Sequence, residues 1–256
     1  MKTKGYAAFE AGGQLEKFEY DLGPVGDHQV DVKVETCGIC YSDVSMMDNH
    51  WGMTTYPFVP GHEVIGTIEA IGTHVKHLKV GQRVGVGWES GSCGTCESCM
   101  TGYQNLCASA VYTVLGPYGG FSERVRAKAE FAIPIPANLD AAAAGPLLCG
   151  GITIFNPMLD LNVKPVHKVG VIGIGGLGHM ALKFLNAWGC EVTAISHSPG
   201  KEAEAKEFGA HHFVNSSDPD ELMKCANSFD YIISTTNKLE DLTPYIITLR
   251  PKGKMV

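Results

Sequence analysis

A chain of 256 residues exceeds the usual size of a single domain, so two domains or one large domain are expected. Its 45% hydrophobic and 18% charged residues are typical of a globular protein, and no uninterrupted run approaches the roughly 20 apolar residues of a membrane span. The net charge of −7 argues against nucleic acid or an anionic membrane as partner, because phosphates would be repelled on average.

The first residues, MKTKGYAAFEAGG, include two lysines but no apolar stretch of the length that a signal peptide needs. We therefore expect a cytoplasmic protein. Nine cysteines in a reducing compartment are better explained as metal ligands or buried apolar groups than as disulfides.

The first half of the chain is a succession of short β-like runs, which glycine, proline, asparagine and aspartate separate. Examples are Val30–Val34, Val64–Ile71 and Arg83–Val86. The pattern predicts a mostly-β domain over residues 1–150.

Three residues of metal-binding types lie far apart in residues 1–150: Cys40 in CGICYSD, His62 in PGHEVIG and Cys149 in PLLCGGIT. Each has a simpler explanation when taken singly, because buried cysteines are common and a loop histidine is more often hydrogen-bonded than ligating. Short motifs of this kind do not predict a site on their own.

The segment GSCGTCESCMTGYQNLC places four cysteines on one glycine-rich loop: Cys93, Cys96, Cys99 and Cys107. Four thiolates fill a tetrahedral shell around Zn²⁺ without an open position, which predicts a structural zinc rather than four unrelated thiols. An iron–sulfur cluster is the main alternative, but ferredoxin motifs continue with x3-Cys-Pro and not with x7-Cys. A zinc ribbon that binds nucleic acid would need basic residues, and the loop has none.

From about Lys168 onward, the apolar runs KVGVIGIG, EVTAISH, HHFVNS and DYIISTT alternate with helix-like segments such as GHMALKFLNAWG and KEAEAKEFGA. Such alternation predicts βαβ units and a doubly wound parallel sheet over residues 151–256. Pro251–Gly253 has the composition of a turn before a fifth strand that begins at Lys254. We therefore expect this second domain to be incomplete at its C-terminus.

A glycine-rich turn follows the run KVGVI and opens a helix-like segment, the context in which Gly-x-Gly-x-x-Gly binds a dinucleotide. The predicted cofactor-binding residues of this turn are Gly173, Gly175, Gly176, Leu177 and Gly178. A glycine at the second motif position lets the backbone approach the pyrophosphate, and the helix N-terminus stabilises its charge.

The end of the second predicted strand distinguishes NADP from NAD, because NAD-binding chains have an acidic residue there. This chain has Ser196 instead, followed by Ser198 and Lys201 in ISHSPGK. Two hydroxyls and a lysine suit a 2′-phosphate, so we predict NADP(H). Ser198 before Pro199 also has the pattern of a helix N-cap, which is itself an anion site.

Motifs along the whole chain resemble the zinc-containing medium-chain alcohol dehydrogenases, especially the cinnamyl-alcohol-dehydrogenase-like branch. They are GICYSD, YPFVPGHEVIGTIEAIG, the four-cysteine loop, GGFSERVRA, PLLCGGITIFNPM, GIGGLGHMALK and ISHSPGK. The resemblance implies a GroES-like, zinc-binding catalytic domain followed by a Rossmann domain.

By this resemblance Cys40, His62 and Cys149 would be the protein ligands of a catalytic zinc, with Glu63 as a transient ligand. Two thiolates and one imidazole leave a fourth position for water or substrate. Asp43 corresponds to the carboxylate that orients the ligand histidine.

Further roles come from the same resemblance. Ser42 would bond the substrate oxygen and begin a proton relay, Thr153 and Thr235 would contact the cofactor, and Trp51 and Tyr112 would line the substrate pocket. Trp88 is a further candidate for the pocket, with a plain core aromatic as the alternative.

The sequence departs from the family at Tyr41, where relatives commonly have His or Arg, and at Ser45, where they often have the histidine that ends the relay. Because of these departures, the sequence does not define the route by which the substrate proton reaches solvent.

The resemblance implies an enzyme that transfers a hydride between NADP(H) and a primary alcohol or its aldehyde, aromatic or medium-chain. It also suggests a homodimer or homotetramer. The alternative is a truncated, inactive homologue that binds zinc and dinucleotide without turnover.

Overall fold

The computed structural model describes residues 2–116, 118–236 and 241–256. The chain divides into two compact units, Met1–Cys149 and Gly150–Val256. Within the described residues, no single helix is long and apolar enough to cross a membrane, although the consecutive helical segments Ala141–Leu148 and Gly150–Asp160 meet the length and composition criteria as a pair.

The first unit is built mainly from strands. They are β1 (Lys2–Ala7), β2 (Glu16–Asp21), β3 (Gln29–Cys37), β4 (Val64–Ile71), β5 (Arg83–Val86), β6 (Glu89–Gly91), β7 (Val111–Tyr112), β8 (Arg124–Lys128) and β9 (Ile133–Pro134). Its α-helices are short: α1 (Tyr41–Met47), α2 (Glu97–Met100) and α3 (Ala141–Ala144).

An antiparallel sheet in the order β8-β3-β4-β5-β9 forms the centre of this unit, and two-stranded sheets pair β1 with β2 and β6 with β7. The inward side chains Val30, Val32, Val64 and Ile68 are buried in one core. The predicted limits of β4 and β5 coincide with the observed ones. β3 extends beyond its predicted end at Val34, because bulges in its pairing with β4 continue the ladder to Cys37.

The second unit alternates strands and helices. Its strands are β10 (Lys168–Ile172), β11 (Glu191–Ser196), β12 (His212–Asn215), β13 (Phe229–Ser234) and β14 (Leu249–Met255). Its α-helices are α4 (Gly150–Asp160), α5 (Gly176–Trp188), α6 (Glu202–Glu207), α7 (Pro219–Lys224) and α8 (Thr243–Ile246).

These strands form a parallel sheet in the order β12-β11-β10-β13-β14, the order of a Rossmann sheet. Val169, Val171 and Val192 of the sheet pack with Leu182 and Leu185 of α5 in one buried core. The two architectures confirm the fold class that the sequence predicts for each half of the chain.

The strand β14 corrects one detail of the sequence analysis. It begins at Leu249 and not at Lys254, since Leu249 already pairs with Phe229. The pairing then skips to Lys254 opposite Tyr231, and Lys252 takes a positive φ of 68° in the intervening bulge. A bulge accommodates the proline and glycine that suggested a turn.

Arg126 of β8 fixes the loop that joins β2 to β3. Its guanidinium makes a bidentate pair of hydrogen bonds to the buried carboxylate of Asp31, with N···O distances of 2.7 and 2.9 Å. The remaining donors reach the backbone carbonyls of Leu22, Gly23 and Pro24 at 2.5 to 3.1 Å. All five N–H groups of the side chain thus have acceptors, a pattern that a lysine cannot reproduce.

We expect Arg126→Lys to reduce the free energy of unfolding of the first unit by about 3 kcal/mol, because each buried acceptor that loses its donor costs about 1–3 kcal/mol. The measurement is urea denaturation monitored by tryptophan fluorescence, since Trp51 and Trp88 lie in this unit.

Arg124→Lys is the matched control, because Arg124 pairs with Glu69 at a more accessible position of the same strand. It should lose less than about 1 kcal/mol. Equal losses in the two variants would mean that burial and the carbonyl contacts of Arg126 contribute nothing.

Candidate active site

Four side chains of the first unit converge although they are far apart in sequence: Cys40, His62, Glu63 and Cys149. One ligand atom from each lies within 4.8 Å of all the others. The sulfur atoms of Cys40 and Cys149 are 3.8 Å apart, and His62 Nε2 lies 3.2 Å from the Cys149 sulfur. Two thiolates on a tetrahedral zinc, each about 2.3 Å from the metal, are separated by about 3.8 Å, so this donor set fits zinc.

The pairing of β3 with β4 brings two of these ligands together. Cys37 at the end of β3 lies opposite Val64 at the start of β4, and the Gly38 N–H donates to the Glu63 carbonyl at 3.0 Å. The segment that follows β3 and the segment that precedes β4 therefore meet at one end of the sheet, which explains why Cys40 and His62 are neighbours.

Cys149 reaches the site from a one-turn 3-10 helix, Gly145–Leu148. This turn packs closely on the sheet at two glycines. A Cβ at Gly85 would lie 2.6 Å from the Leu148 side chain, and a Cβ at Gly87 would lie 2.8 Å from the Leu148 carbonyl oxygen. A side chain at Gly87 would press on the backbone of the turn that carries the ligand, whereas one at Gly85 would require the Leu148 side chain to move.

Asp43 is the buried carboxylate that joins these segments. Its Oδ1 accepts from His62 Nδ1 at 3.0 Å and from the Gly61 N–H at 2.8 Å, while its Oδ2 accepts from the Cys40 N–H at 3.0 Å. The bond to Nδ1 leaves Nε2 directed at the Cys149 sulfur. A carboxylate behind a histidine is the usual arrangement in metal sites, where it fixes the tautomer of the ligand.

The hydrogen bonds of this cluster favour the thiolate form of Cys40 and the protonated form of the His62 ring. Hydrogen bonds from Cys149 and His62 hold the pKa of the Cys40 thiol well below its usual range. Burial opposes a charged imidazole, but the bonds to Asp43 and to Cys40 outweigh it and raise the pKa of His62 to about 9. Burial and then the charge of Cys40 raise the pKa of Glu63. A divalent cation would replace these protons.

Glu63 is held against the backbone of Gly38. A Cβ at that glycine would stand 1.9 Å from a carboxylate oxygen of Glu63, so a side chain there would require the carboxylate to move. The absence of a side chain at Gly38 leaves space for this carboxylate beside the sulfur ligands.

Ser42 and the aromatic residues lie around the same cluster. The backbone N–H of Ser42 is 3.4 Å from the Cys40 sulfur, and its hydroxyl also stabilises that thiolate. The Trp88 ring stands edge-on to His62 with centroids 4.8 Å apart, and it contacts Trp51 at 6.1 Å and Tyr112 at 5.7 Å. No local motif signals the contact of Trp88 with the histidine, so its part in a substrate pocket stays a prediction.

The four cysteines of the loop form a second cluster. The ligand atoms of Cys93, Cys96, Cys99 and Cys107 all lie within 4.8 Å of one another, and the sulfurs of Cys93 and Cys99 are 3.9 Å apart. Bonds from the backbone of Thr95 and Cys96 lower the pKa of Cys93 to about 6. Four sulfur donors at this separation fit a closed tetrahedral zinc shell.

A lysine that the sequence analysis did not single out anchors this loop. Lys128 of β8 donates from Nζ to the carbonyl of Ser92 at 2.5 Å, immediately before the first cysteine.

In the second unit the glycine turn has the geometry of a dinucleotide site. Gly173 has a φ of +84°, and a Cβ at Gly178 would lie 1.9 Å from the Gly173 carbonyl oxygen, so both positions require glycine. A Cβ at Gly175 or at Gly176 would meet nothing within 4 Å, which leaves open space at the N-terminus of α5. Leu177 lies in the first turn of that helix.

Two threonines named by the sequence analysis belong to this unit. Thr235 follows β13, and its hydroxyl lies 3.0 Å from the Ile172 carbonyl and 2.7 Å from the Gly173 carbonyl, so it supports the turn. Thr153 is exposed in α4.

The segment after β11 holds the residues predicted to choose the cofactor. Ser196 is buried, and its hydroxyl accepts from the Ser198 N–H at 3.2 Å. Ser198 precedes a 3-10 helix, Pro199–Lys201, but its side chain makes no capping bond, which corrects the expectation of a side-chain N-cap. The Lys201 ammonium donates to the Ile174 carbonyl at 2.7 Å, beside the glycine turn.

Comparison with known proteins agrees with this arrangement. Residues 26–137 match the family described as alcohol dehydrogenase GroES-like domain, and residues 176–256 match zinc-binding dehydrogenase. The chain is 54% identical over 250 residues to aldehyde reductase AdhA of Synechocystis sp., spanning 98% of this chain and 74% of that protein. It is 42% identical to cinnamyl alcohol dehydrogenase 8 of Arabidopsis thaliana, spanning 98% of this chain and 73% of the relative.

Solved structures are similar over the same extent. A cinnamyl alcohol dehydrogenase of Sorghum bicolor, SbCAD4, is 39% identical with a TM-score of 0.94, covering 100% of this chain and 75% of that one. The CAD from Helicobacter pylori, in complex with NADP(H), is 32% identical with a TM-score of 0.91 over 100% and 75% of the two chains. The chain therefore belongs to the zinc-containing medium-chain alcohol dehydrogenases, in their cinnamyl-alcohol-dehydrogenase-like branch.

Proposed function

We propose that this chain is a zinc-dependent, NADP(H)-using enzyme that interconverts a primary alcohol and its aldehyde by hydride transfer. The observation that carries the proposal is the convergence of Cys40, His62 and Cys149 at the spacing of a tetrahedral zinc shell. Zinc held there supplies a Lewis acid that polarises the substrate oxygen. Three protein ligands leave one position for that oxygen.

The neighbouring residues take separate roles in this proposal. Asp43 orients His62 and keeps its Nε2 as the ligand atom. Ser42, whose hydroxyl lies against the Cys40 sulfur, bonds the substrate oxygen and passes its proton. Glu63 serves as an alternative ligand while substrate or water exchanges.

The second cluster holds a structural zinc in this proposal. Cys93, Cys96, Cys99 and Cys107 use all four tetrahedral positions, so no position remains for a substrate.

The cofactor is assigned to the second unit. The pyrophosphate binds over Gly175 and Gly176 at the N-terminus of α5, where no side chain intrudes and the helix end favours an anion. The residues we assign to cofactor binding are Thr153, Gly173, Gly175, Gly176, Leu177, Gly178, Ser196, Ser198, Lys201 and Thr235.

The choice of NADP(H) rests on the absence of a carboxylate at the end of β11. Ser196 and Ser198 offer hydroxyls there, and Lys201 offers a positive charge beside the glycine turn. The relative from Helicobacter pylori is described in complex with NADP(H), which supports the same assignment.

The substrate pocket has aromatic walls. Trp88 contacts both Trp51 and Tyr112, and it also contacts the ligand His62. Large flat side chains favour aromatic or medium-chain apolar aldehydes. The relatives described as aldehyde reductase and cinnamyl alcohol dehydrogenase are named for substrates of this kind, and neither name supports the inactive alternative.

We further infer a catalytic domain over residues 1–150 and a nucleotide-binding domain over residues 151–256. We also propose that the protein forms a homodimer or homotetramer and that it is located in the cytoplasm.

Mutations in the two metal clusters should have different effects on stability and activity, because one cluster is closed and structural while the other keeps a position for substrate. Cys96→Ser should remove one zinc and lower the thermal midpoint, whereas Cys149→Ser should abolish NADPH-dependent aldehyde reduction and leave that midpoint near its normal value. Zinc analysis and thermal unfolding on the same samples, together with NADPH consumption, give the three readouts.

Cys225→Ser is the control for the loss of a thiol, since Cys225 lies in the second unit and belongs to neither cluster. It should retain zinc and activity. Retained turnover in Cys149→Ser, or fewer than two zinc ions per unmodified chain, would contradict the proposed sites.

Cofactor preference should invert in Ser196→Asp, because the new carboxylate repels a 2′-phosphate and accepts bonds from the ribose hydroxyls of NADH. Two charges about 4 Å apart interact by roughly 4 kcal/mol at an effective dielectric of about 20, so even a quarter of this changes relative affinity several-fold. The measurement is the ratio of the specificity constants for NADPH and NADH at low and high salt.

Lys201→Ala is the companion variant, which avoids a buried charge. It should change the ratio in the same direction but less, because a half-exposed ammonium is screened by solvent. A parent protein that already prefers NADH, or an unchanged ratio in both variants, would show that this segment does not bind the 2′-phosphate.

A further inference from the structure

Two histidines meet on the surface of the first unit, at one end of the pairing between β3 and β4. His28 directly precedes β3, and His74 follows the end of β4. The Nε2 atom of His28 lies 3.2 Å from the Nδ1 atom of His74, and the rings are inclined at 55° with their centroids 4.8 Å apart. Both side chains are exposed, so an ion in solution can reach them.

This histidine pair is separate from the candidate active site. The β3–β4 ladder pairs Val30 with Ile71 beside the histidines, and it pairs Cys37 with Val64 beside the ligand cluster. About seven residues of strand, at about 3.3 Å each, place these two ends of the ladder roughly 23 Å apart. The pair also belongs to neither of the two cysteine-containing clusters.

Backbone hydrogen bonds hold together the two loops that carry the histidines. The His74 N–H donates to the Asp27 carbonyl at 2.9 Å, and the Gly72 N–H donates to the Gln29 carbonyl at 2.8 Å. A Cβ at Gly72 would lie 2.1 Å from the Gly26 carbonyl oxygen, so the close approach of the loops requires a glycine there. The two imidazoles are therefore attached to backbone that is fixed in place.

The distance between the two ring nitrogens suits a pair of ligands on one metal ion. Bonds of about 2.0–2.1 Å from imidazole to a metal put two nitrogens about 3.4 Å apart in a tetrahedral shell and about 3.0 Å apart in an octahedral one. The observed 3.2 Å lies between these values. In a hydrogen-bonded pair one ring donates its proton to the other, whereas on a metal each neutral ring carries its proton on the nitrogen that faces away.

A carboxylate beside the pair favours a cation. Asp27 precedes His28 in the chain. A hydrogen bond from the Thr73 hydroxyl at 2.6 Å, and then the charge of His74, lower the pKa of Asp27, so this carboxylate stays ionised. Lys76, the cation of the same loop, is exposed and donates to the Thr73 carbonyl at 2.9 Å, so solvent screens its charge.

We propose that His28 and His74 bind one divalent transition-metal ion, with water completing its coordination shell. Imidazole nitrogens suit Ni²⁺, Cu²⁺ and Zn²⁺. Among the residues that the structure describes, no further histidine, cysteine or acidic ligand atom joins the pair within 4.8 Å. Two protein ligands leave the other positions to water, so the ion exchanges with solvent, unlike an ion in a closed four-cysteine shell. The site is independent of the proposed dehydrogenase activity.

The test is calorimetric titration of the zinc-loaded full chain with Ni²⁺. Zinc loading fills the cysteine clusters beforehand, and Ni²⁺ avoids the oxidation of thiols by Cu²⁺. The parent protein should bind one Ni²⁺ per chain at this site. His28→Gln and His74→Gln should each weaken the binding at least about ten-fold, because a single imidazole loses the gain in effective concentration that two linked ligands provide. Zinc content after each titration shows that Ni²⁺ has not replaced zinc.

His77→Gln is the matched control, because His77 is an exposed histidine of the same loop whose Nε2 lies 3.3 Å from the Ala129 carbonyl. It should bind Ni²⁺ with the affinity of the parent. The three substituted positions are on the surface, so each variant should keep the thermal midpoint of the parent in the absence of Ni²⁺.

Three results would overturn the proposed site: no Ni²⁺ binding by the parent, unchanged affinity in His28→Gln and His74→Gln, or an equal loss of affinity in His77→Gln. The two rings would then share a hydrogen bond and no metal ion. Because the readout is metal binding and not turnover, the two proposals fail separately. A protein that reduces aldehydes but gives any of these results rejects the histidine site alone, and a protein that binds Ni²⁺ as expected but reduces no aldehyde rejects the proposed function alone.

Discussion

The candidate active site depends on the carboxylate of Asp43, because this side chain joins the segment that carries Cys40 to the segment that carries His62. It accepts from the backbone before α1, from the backbone of Gly61 and from the ring of His62. Loss of this carboxylate would orphan buried donors on two loops and free the imidazole to rotate. The positions of Cys40 and His62 relative to each other are therefore a consequence of a hydrogen-bonded loop structure and not of the metal alone.

The two cysteine-containing clusters differ in what a sequence can reveal about them. Cys93 to Cys107 lie on one short loop, so their spacing alone predicts a closed metal shell, and the structure brings the sulfurs together. Cys40, His62 and Cys149 lie on separate segments, and only the pairing of β3 with β4 and the turn before Cys149 unite them. Local pattern carries no information about such pairing, so resemblance to a family was needed to select these residues.

The difference between local patterns and tertiary contacts also explains where the other sequence-based predictions agree with the structure and where they do not. The alternation of strands and helices is a local pattern, and it predicted the parallel sheet of the second unit correctly. Pro251 and Gly253 suggested a turn because composition cannot reveal that a bulge absorbs them within β14. Ser198 satisfied the N-cap pattern, yet its N–H bonds the Ser196 hydroxyl and its side chain does not cap. For Trp88 the sequence left a pocket residue and a core aromatic both open, because its contact with His62 is tertiary.

The helix α1 shows why site geometry and local propensity are different problems. Its seven residues are too few to form a stable helix in water, since isolated helices shorter than about 12–15 residues are marginal. Tertiary bonds secure it instead: Asp43 at its start, and the Thr54 and Tyr56 hydroxyls, each 2.6 Å from a carbonyl of its last turn. Because both ends are fixed from outside, this helix can carry functional residues with little regard for helix propensity. Cys40 and Ser42 keep their positions at the candidate site because other parts of the chain stabilise the backbone that carries them.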